Sequence, residues 1–247
     1  MFPLRVVTYN IRGGLGMDGE RNIRRIGEYL AKLDADIYCL QEVHDQLPQS
    51  GMVDQPSILS KCLGLPCYFS SALQIGGGRY GIATFSRLPI LSVCYVRLPN
   101  IRERLRGTVW REKRTALVLE LDLNGCSISI TNTHWSLNAK DRASSAPLLA
   151  ESARGHPRLI VGDFNSSIGS TEIKSLLSVS DTKDADWLAN TPTFPSDHPN
   201  QRIDLVLHSN EFKVSVISVE SVLFSDHLPV VVDFLFHVKQ DGTEVTE

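Results

Sequence analysis

The chain has 247 residues, of which 42% are apolar and 21% charged, and its formal net charge is −3. This composition is typical of a globular protein with ample material for a core, arranged as one domain or two small ones. The small net charge gives no global attraction to nucleic acid or to an acidic membrane. No apolar run approaches the roughly 18 residues that a transmembrane helix needs, so no membrane span is predicted.

The cysteine pattern favours a reducing compartment. There are five cysteines, an odd number, and no C-x-x-C pair, which argues against a disulfide framework and against structural zinc. Cys39, Cys94 and Cys126 lie in apolar runs and are predicted to be buried thiols. The chain enters a β-rich run directly after Met1, without the regions typical of a leader, although a leader cleaved earlier would leave the same sequence. We expect a cytoplasmic monomer.

Hydrophobic periodicity predicts strands interleaved with helices along the chain. Helices are predicted at 22–33, 57–63, 140–153 and 170–178. Strands are predicted at 4–9, 37–40, 67–71, 80–85, 90–98, 115–123, 126–132, 158–161, 203–208, 212–220 and 229–236. Asn124-Gly125 is a strong hairpin signal between two of them.

The predicted elements favour α+β or mixed α/β layers over an all-parallel sheet, because hairpins and fully apolar strands occur together. No linker, internal repeat or low-complexity tract divides the chain. We therefore expect a single domain over residues 1–247, with a core at about 4–236 and a loose polar tail at 238–247.

Polar side chains mark the ends of many of these strands. In chain order the sets are Asn10, Gln41-Glu42, His134, Asp163 with Asn165, Asp204, and Asp226-His227, the last standing directly before an apolar strand. A rigid sheet places loops at its strand ends, and α/β folds put their sites there. Carboxylate and amide oxygens suit Mg²⁺ or Mn²⁺ better than zinc.

Four of the six sets also have a structural explanation when each is considered alone. Asn10 is a plausible turn residue before glycines, Glu42 a loop carboxylate, and Asp163-Phe164-Asn165 an Asx-type turn. Asp204 inside an apolar strand needs a partner, which is either an imidazole or a neighbouring arginine such as Arg202. The six sets together favour a catalytic interpretation over these separate explanations.

Several histidines fall outside the pattern. A second Asp-His-Pro sequence at 197–199 lies in a Pro/Asn-rich loop with no apolar strand after it, so substrate contact there is conceivable and catalysis is not expected. Four other histidines have no partner pattern and are predicted to be ordinary surface or core residues. These are His44, His156, His208 and His237.

The motif series resembles that of the endonuclease/exonuclease/phosphatase superfamily. The matching motifs are Thr8-Tyr9-Asn10-Ile11-Arg12, Gln41-Glu42-Val43, Thr133-His134-Trp135, Gly162-Asp163-Phe164-Asn165, Arg202-Ile203-Asp204 and Ser225-Asp226-His227-Leu228-Pro229. Their order and spacing match from residue 4 to about 236. The resemblance implies a four-layer α/β/β/α sandwich of two packed mixed sheets with outer helices. It also implies metal-dependent hydrolysis of a phosphate ester.

The resemblance also implies a metal site. Glu42 would be the main ligand, with Asn10 beside it. Asp226 would contribute directly or through water. The expected ion is Mg²⁺ or Mn²⁺.

The resemblance further implies roles for the remaining motif residues. Asp163, a candidate general base, and Asn165 would position the attacking water and the phosphate. His227 would contact the phosphate or transfer a proton, and Asp204 would fix its tautomer. His134 would stabilise charge on the phosphate from the other side.

A basic stretch suggests substrate contacts outside the motifs. Trp110 lies among basic residues, a combination that can contact phosphates and stack on a base. The alternative is a solvated loop partly neutralised by acidic neighbours. Arg114 is predicted to approach substrate phosphate, and Tyr80 to face substrate from a flexible loop at 76–81. The other basic residues are Arg102, Arg104, Arg106, Arg111 and Lys113.

The expected function is a phosphodiesterase acting on nucleic acid, single- or double-stranded, or on a nucleotide-like substrate. The resemblance implies that abasic-site endonucleases lack a histidine at the position of His134, so that role is disfavoured. The alternative substrates are a phospholipid, as in sphingomyelinase-like members, and a sugar or inositol phosphate. A non-catalytic binding module on the same fold is the alternative of another class.

Overall fold

The computed structural model describes residues 1–100, 112–152, 157–186 and 189–237. Within these residues the strands, in chain order, are β1 Phe2–Asn10, β2 Ile37–Asp45, β3 Cys67–Ile75, β4 Gly78–Ser86, β5 Ile90–Arg97, β6 Thr115–Leu123, β7 Cys126–His134, β8 Arg158–Asp163, β9 Lys183–Asp184, β10 Asp204–His208, β11 Phe212–Val219 and β12 Val230–Phe236. The α-helices are α1 Ile23–Lys32, α2 Gln55–Leu63, α3 Ala139–Ser152 and α4 Thr171–Ser180.

The strands form two mixed six-stranded sheets. The first has the order β11-β12-β1-β2-β4-β3 and the second the order β5-β6-β7-β8-β10-β9. Each contains one parallel pair, β1 with β2 and β7 with β8, and the other pairings are antiparallel. The expected mixed sheets are therefore confirmed.

Three apolar clusters separate four layers. The central cluster joins side chains of both sheets, such as Val6 and Leu119. A second packs α1 and α2 against the outer face of the first sheet, and a third packs α3 and α4 against the second sheet. The expected four-layer sandwich is confirmed.

Polar side chains also bridge the two sheets inside the core. The Gln41 amide donates to Asn132 Oδ1 at 2.8 Å, and Asn132 Nδ2 donates to the Ala83 carbonyl at 3.0 Å. Both side chains are fully buried. Because buried polar groups need partners, these bonds fix how the sheets stack.

Some sequence-based boundaries were wrong. Strand β2 continues past Gln41-Glu42 to Asp45 through a bulge, and residues 78–81 belong to β4 rather than to a flexible loop. The short strand β9 was not predicted. Cys94 is exposed because β5 is an edge strand, and Cys126 is half-buried, whereas Cys39 is fully buried as predicted; all five cysteines are free.

Candidate active site

The topology brings the motif residues to one edge of the sandwich. Asn10, His134 and Asp163 end β1, β7 and β8. Because β10 runs antiparallel to β8 and β12 antiparallel to β1, Asp204 at the start of β10 and His227 before β12 lie at that same edge. Five side chains that are far apart in sequence thereby meet in one place.

A bulge turns Glu42 toward this edge. Between Leu40 and Val43 strand β2 has one residue more than β4, and Glu42 takes a φ of 55°. A bulge redirects a side chain that a regular strand would point elsewhere. Left-handed backbone at a residue other than glycine costs of order 1–3 kcal/mol and is concentrated at functional sites. The strain at Glu42 therefore supports a functional role.

Asn10 is the central hydrogen-bonding residue of the site. Its Nδ2 donates to Glu42 Oε1 at 3.1 Å and to Asp163 Oδ2 at 2.9 Å, and lies 3.5 Å from His227 Nε2. Its oxygen accepts the Arg12 backbone N–H at 3.1 Å. One amide therefore joins the carboxylate of the first sheet to that of the second.

Asp163 combines a turn with contacts to other motif residues. Its Oδ1 accepts the Asn165 N–H at 2.9 Å, which is the Asx-type turn that the sequence allowed as an alternative. Its Oδ2 lies 3.3 Å from His134 Nε2 and 3.7 Å from His227 Nε2. Asn165 itself donates to the Trp135 carbonyl at 3.0 Å.

The residue before this aspartate, Gly162, lies where the neighbouring parallel strands β7 and β8 approach each other very closely. Gly162 has a φ of 144°, and a Cβ placed on it would lie 1.9 Å from the Thr133 carbonyl oxygen. Only glycine permits this approach between β7 and β8. The register His134 opposite Asp163 depends on it.

Asp204 pairs with His227 and not with Arg202. His227 Nδ1 lies 2.9 Å from Asp204 Oδ2, and the Thr193 hydroxyl donates to the same oxygen at 2.6 Å. Arg202 instead forms a bidentate ion pair with Asp184 at 2.6 and 2.5 Å. Of the two partners that the sequence allowed for Asp204, the structure therefore has the imidazole.

The electrostatics of this group follow from burial and opposite charge. Burial alone would lower the pKa of His227, but Asp204 and then Asp163 raise it to about 10. Burial alone would raise the pKa of Asp163, but His227 and His134 hold it well below its usual range. Both shifts favour the charged form, the imidazolium of His227 and the carboxylate of Asp163.

Asp163, Asp204 and His227 form a compact buried group. Ligand atoms of the three side chains all lie within 4.8 Å of one another. Several of these atoms already have partners, since His227 Nδ1 pairs with Asp204 and the Asp163 oxygens accept from Asn10 and Asn165. The arrangement therefore places an imidazole between two carboxylates, which suits the handling of a proton.

Arg114 and Tyr80 form a buried pair beside His134. Arg114 Nη1 donates to the Tyr80 hydroxyl at 3.0 Å, and lies 3.2 Å from His134 Nδ1 and 3.1 Å from Glu112 Oε1. Burial raises the pKa of Tyr80 well above its usual value, so its hydroxyl stays neutral. Arg114 Nε is buried and has no partner among the described residues.

Asp226 lies at the rim of the site. Its carboxylate is 3.3 Å from Arg12 Nε and accepts from the Ser225 hydroxyl at 3.2 Å. The Asp226 side chain is about one-quarter exposed (27%), in contrast to the almost fully buried Asp163 and Asp204. The predicted substrate contact Trp110 and the basic residues 102, 104, 106 and 111 lie outside the described residues.

The sequence match agrees with this geometry. A sequence model described as the Endonuclease/Exonuclease/phosphatase family matches residues 7–227, which include the site residues from Asn10 to His227. The chain belongs to the endonuclease/exonuclease/phosphatase family. Comparison with curated proteins gave no match.

Solved structures share the fold of this family member. An endonuclease/exonuclease/phosphatase from Beutenbergia cavernae is 24% identical with a TM-score of 0.79, over 96% of this chain and 72% of that one. A mannosyl-6-phosphatase from Bacteroides thetaiotaomicron is 21% identical with a TM-score of 0.75, over 94% of this chain and 100% of that one. The human Nocturnin catalytic domain is 22% identical with a TM-score of 0.72, over 95% of this chain and 94% of that one.

The family fold here includes a supporting loop that the motifs did not indicate. The Thr193 carbonyl accepts the Leu228 N–H at 2.8 Å, and the Ser196 hydroxyl donates to the Ser225 carbonyl at 2.6 Å. The Phe194 ring packs against the His227 ring, with 4.8 Å between the two ring centroids. The Pro-rich segment containing the second Asp-His-Pro sequence therefore supports the loop that carries His227. Its only sequence signal was its proximity to Asp204.

None of the helices that the structure describes is both long and apolar enough to cross a membrane.

Proposed function

We propose that the chain is a Mg²⁺- or Mn²⁺-dependent phosphodiesterase acting on nucleic acid or a nucleotide-like compound. The observation that carries this is the convergence of Glu42, Asp163, Asp204 and His227 at one sheet edge, joined through the Asn10 amide. Together they offer a carboxylate for an ion and a charged pair for proton handling. A module that only binds needs no such buried pair, since burying charge is costly.

The environment of Glu42 fits a divalent ion. Its carboxylate is half-buried, and among the described residues its partner is the neutral Asn10 amide, with no lysine or arginine nitrogen within 4 Å. Oxygen donors of this kind suit Mg²⁺ and Mn²⁺. Glu42 would hold the ion, with Asn10 and Asp226 contributing directly or through water. The bound ion would polarise the phosphate and stabilise negative charge as it develops.

Asp163 and Asn165 would place the attacking water and the phosphate. Asp163 is ionised over the whole working pH range because two imidazoles flank it. A carboxylate with so low a pKa orients a water better than it accepts a proton from it, since a general base works best near the operating pH. We therefore propose that the main role of Asp163 is to orient the attacking water, and that general-base catalysis is its secondary role.

His227 would face the phosphate as an imidazolium. Asp204 holds its Nδ1 and leaves Nε2 toward Asp163 and Asn10. This arrangement fixes the ring orientation, and it supplies a proton donor for the phosphate or the leaving group. His134 and Arg114, which contact each other, would stabilise phosphate charge from the other side, with Tyr80 as the neighbour that positions Arg114.

An assay panel tests the proposal. The substrates are bis-p-nitrophenyl phosphate, p-nitrophenyl phosphate, mannose 6-phosphate, sphingomyelin, and single- and double-stranded oligonucleotides, each with Mg²⁺, Mn²⁺ or excess chelator. We expect turnover of the diesters that the chelator abolishes. Full diester turnover in excess chelator would refute the metal-dependent mechanism.

A phosphomonoesterase for sugar phosphates is the second candidate. It is favoured by the fold shared with a mannosyl-6-phosphatase, although at 21% identity this likeness concerns the fold alone. Turnover of mannose 6-phosphate or p-nitrophenyl phosphate without turnover of any diester would select it. Turnover of sphingomyelin alone would select the phospholipid alternative.

A further inference from the structure

A cavity of about 370 Å³ opens directly beside Glu42. Its described lining includes two arginines, Arg12 and Arg21, two glutamates, Glu42 and Glu112, and an apolar side with Leu47, Leu73 and Ile75. The volume lies within the range of small-molecule sites, about 300–1,000 Å³, and is larger than one phosphate needs. A sugar or base with a further polar group therefore fits it.

Arg21 is the unpaired cation of this cavity. Its Nη1 donates to the backbone carbonyls of Gly13 at 2.6 Å and Arg12 at 3.4 Å. Among the described residues no carboxylate lies within 4 Å of it, whereas Arg12 is paired with Asp226. Arg21 is exposed as a residue, but partial burial of its guanidinium and the nearby Arg12 charge lower its pKa, so an anion placed here would relieve repulsion between the two guanidinium groups.

His44 adds a buried polar atom without a partner. It lines the same cavity, is only 3% exposed, and its Nδ1 has no hydrogen-bond partner among the described residues. Such an orphaned group is costly unless something completes its hydrogen bonding.

A turn holds these groups in place. Gly13 has a φ of 56°, and a Cβ on it would lie 2.1 Å from the His44 ring. The turn that carries Arg12 and accepts from Arg21 is therefore closed against the imidazole. The buried Gln55 amide donates to the Gly13 carbonyl at 2.7 Å and thereby fixes the position of this carbonyl.

We propose that this cavity binds a second phosphate of the substrate, next to the one that is cut, and that Arg21 is the residue that recognises it. The proposal rests on the proposed function and narrows it to esters that carry two phosphates separated by a sugar-sized group. The apolar side would pack against that group. A polynucleotide or a nucleoside bisphosphate carries two phosphates separated in this way, whereas a simple dialkyl phosphate carries only one.

Paired probes test the proposal by binding and by turnover. Thymidine 3′,5′-bisphosphate and thymidine 5′-monophosphate are titrated calorimetrically into the parent protein, Arg21→Gln and Arg24→Gln. Arg24 is a matched control, because it lies on α1 outside the described cavity lining, is exposed, and changes the net charge equally. In parallel, hydrolysis is measured for the 5′-p-nitrophenyl esters of thymidine 5′-phosphate with and without a 3′-phosphate.

We expect the parent and Arg24→Gln to prefer the two-phosphate probe by about 10- to 100-fold, the size of a charge-assisted contact, and Arg21→Gln to lose most of that preference. Equal affinity for both probes in the parent, or a preference that Arg21→Gln keeps, would overturn the inference while leaving phosphodiesterase activity in place. Absence of hydrolysis of either ester with Mg²⁺ and Mn²⁺ would instead count against the proposed function.

Discussion

The two ends of the candidate site differ in how completely their polar groups are partnered. At the closed end, formed by Asp163, Asp204 and His227, the residues are at least 95% buried, and their side chains are hydrogen-bonded to one another or to Thr193 and Asn10. At the open end, formed by Glu42, Arg12 and Arg21, the side chains are half-buried or exposed, and Arg21 has no described counter-charge.

This difference indicates a division of labour. Buried, fully partnered charges keep a fixed geometry and resist exchange with solvent, which suits a group that must present one proton in one direction. Incompletely partnered charges next to a cavity gain most from a ligand. We therefore expect changes at the open end to alter metal and substrate binding, and changes at the closed end to alter pH dependence and stability.

The largest effect is expected for Glu42→Gln at the open end. It keeps the side-chain size and removes the charge that would hold the ion. A bound ion contributes several kcal/mol to the transition state, and about 1.4 kcal/mol is a factor of ten, so we expect a loss of about 10³-fold or more in diester hydrolysis. The measurement is kcat/KM with Mg²⁺ and Mn²⁺.

Two controls accompany this variant. Glu28→Gln on the exposed side of α1 removes an equal charge and should keep full activity. Thermal unfolding of Glu42→Gln should match the parent, because the Asn10 amide can still bond the glutamine oxygen. An active Glu42→Gln enzyme with unaltered metal dependence would show that the ion lies elsewhere.

The second effect concerns the pair at the closed end. Loss of a general acid–base group costs about 10²–10⁴-fold in rate, so His227→Ala should fall in that range and Asp204→Asn somewhat less. Because Asp204 acts through His227, the two losses should not add. The measurement is a double-mutant cycle on kcat. A double variant whose loss equals the product of the single losses would mean that the residues act independently.

The third effect is on stability and pH, in the metal-free protein. Folding raises the pKa of His227 from 6.5 to about 10, so the folded state binds this proton more tightly. The stabilisation is therefore fully present below pH 6.5 and is lost as the pH rises toward 10. A shift of this size corresponds to up to a few kcal/mol.

Denaturant unfolding between pH 6 and 10 with chelator measures this effect. The free energy of unfolding of the parent should fall relative to that of His227→Asn across this range. His198→Asn, in the exposed part of the preceding loop, serves as the control and should follow the parent. Parallel pH profiles for the parent and His227→Asn would mean that the imidazole keeps an ordinary pKa.

The sequence predicted the closed end better than the open end, and there is a physical reason for this. Asp163, Asp204 and His227 stand next to apolar strands, where an unpaired charge is costly, so the pattern predicts that they have partners. The family resemblance, not the pattern, implied that the partner of Asp204 is His227 rather than Arg202. The helices α1 to α4 and the mixture of strands and helices followed from apolar periodicity and a hairpin signal, whereas the two packed mixed sheets were implied by the family resemblance.

The features that the sequence did not predict depend on contacts between segments that are far apart in the chain. The bulge at Glu42 needs the registration of β2 against β4, which no local pattern of residues encodes. The support of His227 by Thr193 and Phe194 joins segments more than 30 residues apart. His44 was expected to be ordinary, and only the folded chain places its unpartnered Nδ1 beside Arg12 and Arg21.

The smallest effect is expected where the two sheets are tied together behind both ends. Asn132 on β7 accepts from Gln41, the neighbour of Glu42, and donates to the Ala83 carbonyl of β4. Asn132→Ala removes this buried bridge, while the Gln41 amide keeps the Thr8 hydroxyl and the Cys39 carbonyl as acceptors, so we expect a loss of about 1 kcal/mol in the free energy of unfolding. The adjacent Thr131 is also fully buried, but its hydroxyl has no partner among the described residues, so the isosteric Thr131→Val should be neutral or stabilising.

Chemical denaturation measures the difference in the free energy of unfolding between Asn132→Ala and Thr131→Val. The residues at both ends of the site keep their own contacts, so the activity of both variants at low temperature should stay within tenfold of the parent's. Equal stability of the two variants would show that apolar packing alone sets how the sheets stack.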